Sequence, residues 1–533
     1  MINTLKNQEL GKKEEEMGFS IVDNEQITAH GIAIDSIKKQ LYFLENGVAK
    51  TQLVAPATLG DGILNLTEND FYNCALYFDA NKSPLKLLKF VPASGAATRM
   101  FKFLNTFLKE FDIEKDTINA YINRNKANDL AIFIVGMDKF PFFDEVYAKL
   151  KEVYPDFDSL TRDYKNYYFI KMLLSPDYFD YANKPKGILP FHVYLNNIAT
   201  PIEEHLYECG YYSSANGVSN LHFTVSEGHL AQFESIIAKV KHLVEKETKT
   251  AVTVGYSFQK KSTDSIALDT MGNPYRNPDG SLVFRPGGHG ALIENLNQFD
   301  ADIIFIKNID NVILHNNENV ALYKKALAGV VLEVQQKVFE YLNQIENGTL
   351  LETQISEVVL FVKQKLNKKM EEEFSSFSVE NKIKALKKVL NRPIRVCGMV
   401  KNEGEPGGGP FWVQNENKEV SLQIVESNQV DLDNPEQAKI LKESTHFNPV
   451  DLVCGIKNFK GEKFDLTQYV DHNSGFVVEK NISGTTIKAY ELPGLWNGAM
   501  AEWLTIFVQV PLITFNPVKT VNDLLKPAHQ REK

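Results

Sequence analysis

The stretch Leu85–Met100, LKLLKFVPASGAATRM, passes from an apolar segment through a loop of small residues into Thr98-Arg99-Met100, where a helix can start. Strand, small-residue loop, helix is an arrangement that suits phosphate. Small side chains let backbone N–H groups approach oxygens, the helix N-terminus supplies a favourable dipole, and Arg99 offers a fixed, fork-shaped cation. A tight turn that leaves Arg99 on the surface satisfies the same pattern. Further along, HFTVS ends on Ser226, which can cap a helix carrying Leu230, Phe233, Ile237, Val240 and Val244 on one face. TAVTVGYSFQ then reads as a strand, and DIIFIKNIDN (302–311) as a buried parallel strand ending in polar residues. Strands alternating with helices predict an α/β chain with a mixed, mainly parallel sheet.

Working outward, residues 1–84 mix helical charge patterns with short turns and read as an N-terminal helical cap. The core is expected over 85–317, with a helical insertion near 100–180. A second helical insertion covers 318–390, where ALAGVVLEVQQKVFEYL and ISEVVLFVKQKL are amphipathic, and strands return over 391–533. The glycine cluster Gly404–Trp412, GEPGGGPFW, marks a close-approach loop.

Composition limits what such a core can do. The chain has 533 residues, 43% hydrophobic and 24% charged, with 58 Lys and Arg against 68 Asp and Glu, a formal charge of −10. That length suits two to four domain-sized units, and the apolar content excludes disorder as the main state. An acidic balance argues against covering nucleic-acid phosphates, which needs a clustered basic excess. The four cysteines, Cys74, Cys209, Cys397 and Cys454, form no C-x-x-C pair and read as reduced thiols. No apolar leader is visible in MINTLKNQELGKKEEEMG, so a cytoplasmic location is expected. The most apolar late segment, Trp503–Phe515, falls short of the ~20 residues of a membrane-spanning helix, and no membrane partner is expected.

The signatures of P-loop ATPases, zincins and α/β-hydrolases are absent. Five further segments carry possible chemistry. In NKPKGILPFHVYLNNIATPIEEHL, Lys184 and Lys186 precede an apolar strand, and Thr200-Pro201-Ile202-Glu203-Glu204 opens a helix. A lysine beside a phosphate loop neutralises oxygens, although solvated lysines flanking a strand give the same pattern. In RPGGHGALIENLN, Gly287, Gly288 and Gly290 surround His289 and permit close backbone approach to a flat ligand, or simply form a loop before a helix. In KNIDN, Asp310 stands at the carboxyl end of a buried strand, the place where open α/β sheets bind ligands and where a carboxylate suits Mg²⁺. An Asp-Asn turn ending the strand is the alternative. FNPVDL (447–452) and FNPVKTVNDLL (515–525) add Asp451, a possible second carboxylate ligand, and Lys519, a possible phosphate contact.

Read in order, these segments resemble the UDP-sugar pyrophosphorylase branch of the sugar-nucleotide nucleotidyltransferases. The chain also resembles a family catalogued as a domain of unknown function, DUF4301. The pyrophosphorylase loop G-G-x-G-T-R-[LM] is similar to Ser94-Gly95-Ala96-Ala97-Thr98-Arg99-Met100, with Ser94 and Ala97 at two of its glycines. Its P-K-x-L-L-P is similar to Lys184–Pro190, its F-x-Q to Phe258 and Gln259, and its P-P-G-H-G to Pro286–Gly290. Its N-I-D-N matches Asn308–Asn311 in full. Val425-Glu426, Phe447-Asn448 through Leu452, and Pro517-Val518-Lys519-Thr520 through Leu525 resemble its later motifs.

The resemblance implies a GT-A type, Rossmann-like core whose part over 85–317 binds nucleotide and whose part over 391–533 binds sugar. It implies transfer of a nucleotidyl group, with UTP the expected donor, onto a sugar 1-phosphate, giving a nucleotide sugar and pyrophosphate. Asp310 and Asp451 would hold Mg²⁺. Arg99, Lys186 and Lys519 would act on the phosphates. Ser94, Gly95, Ala96, Thr98, Gln259, Gly288 and His289 would bind the nucleotide, and Glu426 and Asn448 the sugar. Ser94 and Ala97 motivate the rival reading, a relative that binds a nucleotide or nucleotide sugar without turning it over. A glycosyltransferase on the same core is a weaker rival. Nothing in the residues sets the oligomeric state.

Overall fold

The computed structural model describes residues 19–314, 317–404, 407–482 and 485–531. The N-terminal stretch read for a leader and positions 405 and 406 of the glycine cluster lie outside them.

Eight strands build the centre: β1 (Gly62–Leu64), β2 (Leu87–Pro92), β3 (Val218–Thr224), β4 (Ala251–Ser257), β5 (Ile303–Lys307), β6 (Ile394–Lys401), β7 (Asp451–Gly455) and β8 (Leu504–Gln509). Their order across the sheet is β1-β8-β6-β7-β5-β2-β3-β4. Every neighbouring pair is parallel except those made by β7, which runs against both β5 and β6. The start of β7 therefore lies at the same edge as the carboxyl ends of the others. The short pairs beside this path bring the sheet to eleven strands among the described residues. The mixed, mainly parallel sheet expected from the sequence is present.

Strand β5 reads IIFIK and is buried at every position, as a strand covered on both faces must be. One cover is a helix pair, α1 (Glu68–Asn81) and α4 (Asn317–Glu346). Between them in the chain, α2 (Pro201–Tyr212) and α3 (Leu230–Thr248) lie against β3. The Thr200 N–H donates to Glu203 Oε2 at 3.3 Å and Pro201 stands in the first turn of α2, so the predicted helix start is realised. The predicted cap of α3 is not. A 3₁₀ turn, Glu227–His229, intervenes, and the Ser226 hydroxyl meets His229 Nδ1 at 2.7 Å.

Residues 318–390 are more than an appendage. Ala326–Val331 of α4 are all buried, packed in one cluster with Phe305 of β5, Val396 of β6 and Val453 of β7. Residues 19–84 are similarly woven in: β1 joins the central sheet, and Gln52–Pro56 pairs with Gly408–Gln414, itself hydrogen-bonded to Val420–Glu426. Around 100–180 the expected helices are present, including Lys102–Glu110 and Arg162–Leu174, and they share a core of their own.

A buried relay ties the late chain to α2. His192 Nδ1 meets Glu204 Oε1 at 2.7 Å, its Nε2 meets His529 Nδ1 at 2.8 Å, and the Tyr194 hydroxyl donates to Glu204 at 2.9 Å. Complete burial pushes the Glu204 carboxyl up to about 8.

Both the helix pair and the relay have measurable consequences. A Cβ at Gly329 would stand 2.0 Å from the Cys74 carbonyl oxygen, so α1 and α4 must separate to admit one. Gly329→Ala is expected to lose about 1–3 kcal/mol in denaturant unfolding. For Glu204, the folded state holds a proton that the unfolded chain releases. Its contribution is present at acidic pH and is lost as pH rises toward about 8. The melting temperature should therefore fall more between about pH 5 and about pH 8 in the wild type than in Glu204→Gln.

Candidate active site

The sheet's carboxyl edge collects most of the predicted residues, and the connections show how. After β2 the chain forms the loop at Ala93–Thr98, braced from one side by residues 182–186. The Ala97 N–H donates to Lys184 O at 2.8 Å, and the Thr98 hydroxyl donates to Ala182 O at 3.2 Å. Gly95, Ala96, Thr98 and Arg99 are exposed and Ser94 is half-buried. Ala97 is fully buried in the core of the 100–180 helices. Its methyl group packs into that core. A groove of about 800 Å³ opens beside the loop, lined by Arg99, Lys102, Tyr121, Lys126 and Thr520 among others.

The same bracing segment delivers Lys186. Its ammonium donates to Asp310 Oδ2 at 2.6 Å and to Val518 O at 2.7 Å, with both side chains less than a fifth exposed. Asp310 follows β5 by three residues, and its turn is fastened twice. His205 of α2 meets Ile309 O at 3.2 Å, and the Val518 N–H donates to Asp310 O at 3.0 Å. Burial and the neighbouring Lys89 hold the His205 ring well below its usual range, so it is neutral, and the contact places its proton on Nε2. Asn311 stitches the late chain on, donating to Thr514 O and accepting from the Asn516 N–H. Lys519 then lies over two rings, 5.0 Å from the centre of Phe447 and 5.4 Å from that of Phe515. Positions 99, 186, 310 and 519 thus meet around one edge.

The second group forms around His289. Gly288 has φ +78°, a conformation open to glycine, and a Cβ at Gly290 would lie 2.0 Å from Pro493 O. This close passage stacks the His289 ring on Trp496, with centres 4.6 Å apart and planes at 16°. The Leu495 N–H donates to His289 Nδ1 at 3.1 Å, so the neutral ring carries its proton on Nε2, toward Glu426 Oε1 at 3.8 Å. Burial holds His289 below its usual range, partly offset by Glu426 and Glu491. Glu426 also accepts from Asn497 Nδ2 at 3.1 Å.

The two groups are linked. Glu426 pairs in register with Gly408, whose carbonyl accepts from the Asn448 N–H at 2.9 Å, and Asn448 follows the Phe447 ring under Lys519. Asn448 Nδ2 and Gln259 Nε2 are both buried with no hydrogen-bond partner among the described residues. Each such amide carries a desolvation cost that a ligand acceptor would remove. Beside Asn448, Val450 has φ +58°, a costly conformation for a β-branched residue at a position the surrounding structure over-determines.

Asp451 stands in different company from Asp310. It is 3% exposed and ion-paired with Lys324 of α4. Opposite it, Lys307 meets Glu208 Oε1 at 2.5 Å, and Glu208 also takes Lys89 at 2.7 Å. Among the described residues no group of three or more His, Cys, Asp and Glu side chains is placed to hold a metal ion.

Sequence reading missed Trp496 and Asn497, although the glycines in PGLWNG signal a tight loop. It also missed Arg395, fully buried in β6, which donates to Trp496 O at 2.7 Å and Thr505 Oγ1 at 2.8 Å and so fastens that loop from beneath.

A mixed, mainly parallel sheet with charged and polar residues gathered at its carboxyl edge defines the class of this protein, and the family described as Domain of unknown function (DUF4301) matches residues 20–530. The chain belongs to that family. No curated protein matches it. Among solved structures it is similar to the uridine diphosphate N-acetylglucosamine pyrophosphorylase of Trypanosoma brucei, at 11% identity and a TM-score of 0.46, over 95% of this chain and 79% of that one. UDP-glucose pyrophosphorylase of Leishmania major aligns at 12% identity and a TM-score of 0.43, over 94% and 77%. Among the described residues no helix is long and apolar enough to cross a membrane.

The Lys324–Asp451 pair can be tested for its structural role. Lys324→Met leaves a buried carboxylate without its cation and should cost about 3–5 kcal/mol in denaturant unfolding, whereas Lys324→Met with Asp451→Leu should recover most of that loss. Equal losses in both variants would remove the pair's structural role.

Proposed function

We propose that the chain is a nucleotidyltransferase that joins a sugar 1-phosphate to a nucleoside triphosphate, with UTP as donor, on a GT-A type core in the cytoplasm. The observation that carries this reading is the meeting of the Arg99 loop, Lys186, Asp310 and the Lys519 segment at one edge of the sheet. Solvated lysines and strand-ending turns give no reason for residues more than 400 positions apart to converge. Their order along the chain is that of the pyrophosphorylase motifs.

In the reaction a sugar-phosphate oxygen bonds to the α-phosphorus as the bond from that phosphorus to the β-phosphate oxygen breaks, and pyrophosphate leaves with the electron pair. Such a step needs alignment and charge neutralisation more than covalent help from the protein. Arg99, exposed at the groove, would hold the departing pyrophosphate. Lys186 and Lys519 would hold the sugar phosphate and α-phosphate oxygens. The loop at Ser94, Gly95, Ala96 and Thr98 would face the triphosphate, Gln259, Gly288 and the His289–Trp496 stack would take the base, and Glu426 with Asn448 the sugar hydroxyls.

The donor set suits Mg²⁺ in one form. Of the two carboxylates expected to hold the metal, Asp310 stands beside Lys186 at the sheet edge, while Asp451 is buried against Lys324. One carboxylate fits an ion that brings its remaining oxygens on phosphates and water. Bound so, Mg²⁺ would neutralise the reacting phosphates.

Pyrophosphate release measured over a panel of nucleoside triphosphates and sugar 1-phosphates with Mg²⁺ should identify a productive pair, and Asp310→Asn should lower its turnover by about a hundredfold or more. If no pair reacts while UTP or a UDP-sugar still raises the melting temperature, the protein binds without turnover.

A further inference from the structure

The contact between Lys186 and Asp310 bears on how the metal reaches this site, an inference that rests on the nucleotidyltransferase reading. Asp310 Oδ2 is in direct hydrogen-bond contact with an ammonium group. That ammonium is not there by chance of rotation, since a second of its three N–H donors is spent on Val518 O, and both side chains are largely shielded. The Val518 N–H in turn donates to Asp310 O, and Asn311 pairs with Pro517, so the lysine closes a small ring of contacts joining residues 186, 310 and 517–518. The carboxylate that would receive a divalent cation is already neutralised. Among the described residues no group of three or more His, Cys, Asp and Glu side chains is placed to hold that cation by itself.

We propose that Lys186 is a stand-in cation: in the nucleotide-free protein it occupies Asp310 and excludes a divalent ion. The ion enters only with the nucleotide's phosphates, which give the displaced ammonium a new anionic partner. Two cations cannot share one shielded carboxylate cheaply, because their mutual repulsion is unscreened there. Phosphate oxygens resolve the conflict by supplying negative charge for both. The exchange also removes a donor from Val518 O, directly before Lys519, so arrival of the metal-bearing nucleotide is felt first by the segment that carries the second lysine.

The probe is Mn²⁺, followed by electron paramagnetic resonance in the absence of nucleotide and by the Mn²⁺-dependent part of the melting-temperature rise with UTP. Wild type and Lys186→Arg should bind Mn²⁺ weakly without nucleotide, and Lys186→Gln should bind it at least about tenfold more tightly. Asp310→Asn should abolish that gain when combined with Lys186→Gln. Should Lys186→Gln fail to fold, Lys186→Ala serves in its place. If the neutral variant binds Mn²⁺ no better than wild type while Asp310→Asn still removes the Mn²⁺-dependent rise with UTP, the stand-in role is wrong and the functional reading survives. If Asp310→Asn leaves that rise intact, both fall.

Discussion

Glu208 lies fully buried between two ammonium groups, Lys89 from β2 and Lys307 from β5, and much of the molecule depends on that placement. The cost of burying three charges is offset only by short, well-aligned contacts, so the two parallel strands and α2 cannot slide against one another without exposing an unpaired charge. Lys324 and Asp451 repeat the device one strand over, pinning α4 to the start of β7. Together they count three lysines against two carboxylates, with His205 neutral, which leaves an excess of positive charge directly under the turn that carries Asp310. A floor of that sign favours phosphate above it. The architecture and the proposed chemistry thus draw on one buried arrangement.

Much of this was legible in the residues. The apolar run at 302–307, the strand and small-residue loop at 85–99 and the helix opening at Thr200-Pro201 specify their local structures by pattern alone, and the structure has each of them. What pattern could not supply was partnership across space. The motif around Asp451, F-N-P-V-D-L, says nothing of what stands beside its carboxylate. Its true neighbour, Lys324, is 127 positions away on a helix whose path no local rule predicts. Over 318–390 the two amphipathic stretches specify helices but not where those helices pack. The run Ala326–Val331 carries the sign of burial, since a helix apolar on every side is one buried on every side. Ser226 failed as a cap for a smaller reason, an extra 3₁₀ turn that gave its hydroxyl to His229.

The site itself divides along similar lines. Arg99, Lys186, Asp310 and Lys519 belong to short motifs whose residue types announce phosphate chemistry, and the fold brings them to one edge. The His289 side was only half visible. A glycine-flanked histidine suggests a flat ligand, but the aromatic ring on which it rests comes from Trp496 and is anchored by Arg395, a buried charge that nothing in its own strand's sequence explains. Residues that hold other residues in place leave weak local traces, because their role is set by what passes over them.

The stitching of the late chain into the cleft has a consequence for biosynthesis. The Val518 carbonyl that Lys186 binds, the Thr514 and Asn516 backbone groups that Asn311 binds and the Phe515 ring beneath Lys519 all come from residues 514–519. A nascent polypeptide therefore carries every strand of the sheet before it can complete its phosphate-handling edge. Formation of the sheet and completion of this edge are thus separable in time, because residues 514–519 leave the ribosome only after β8.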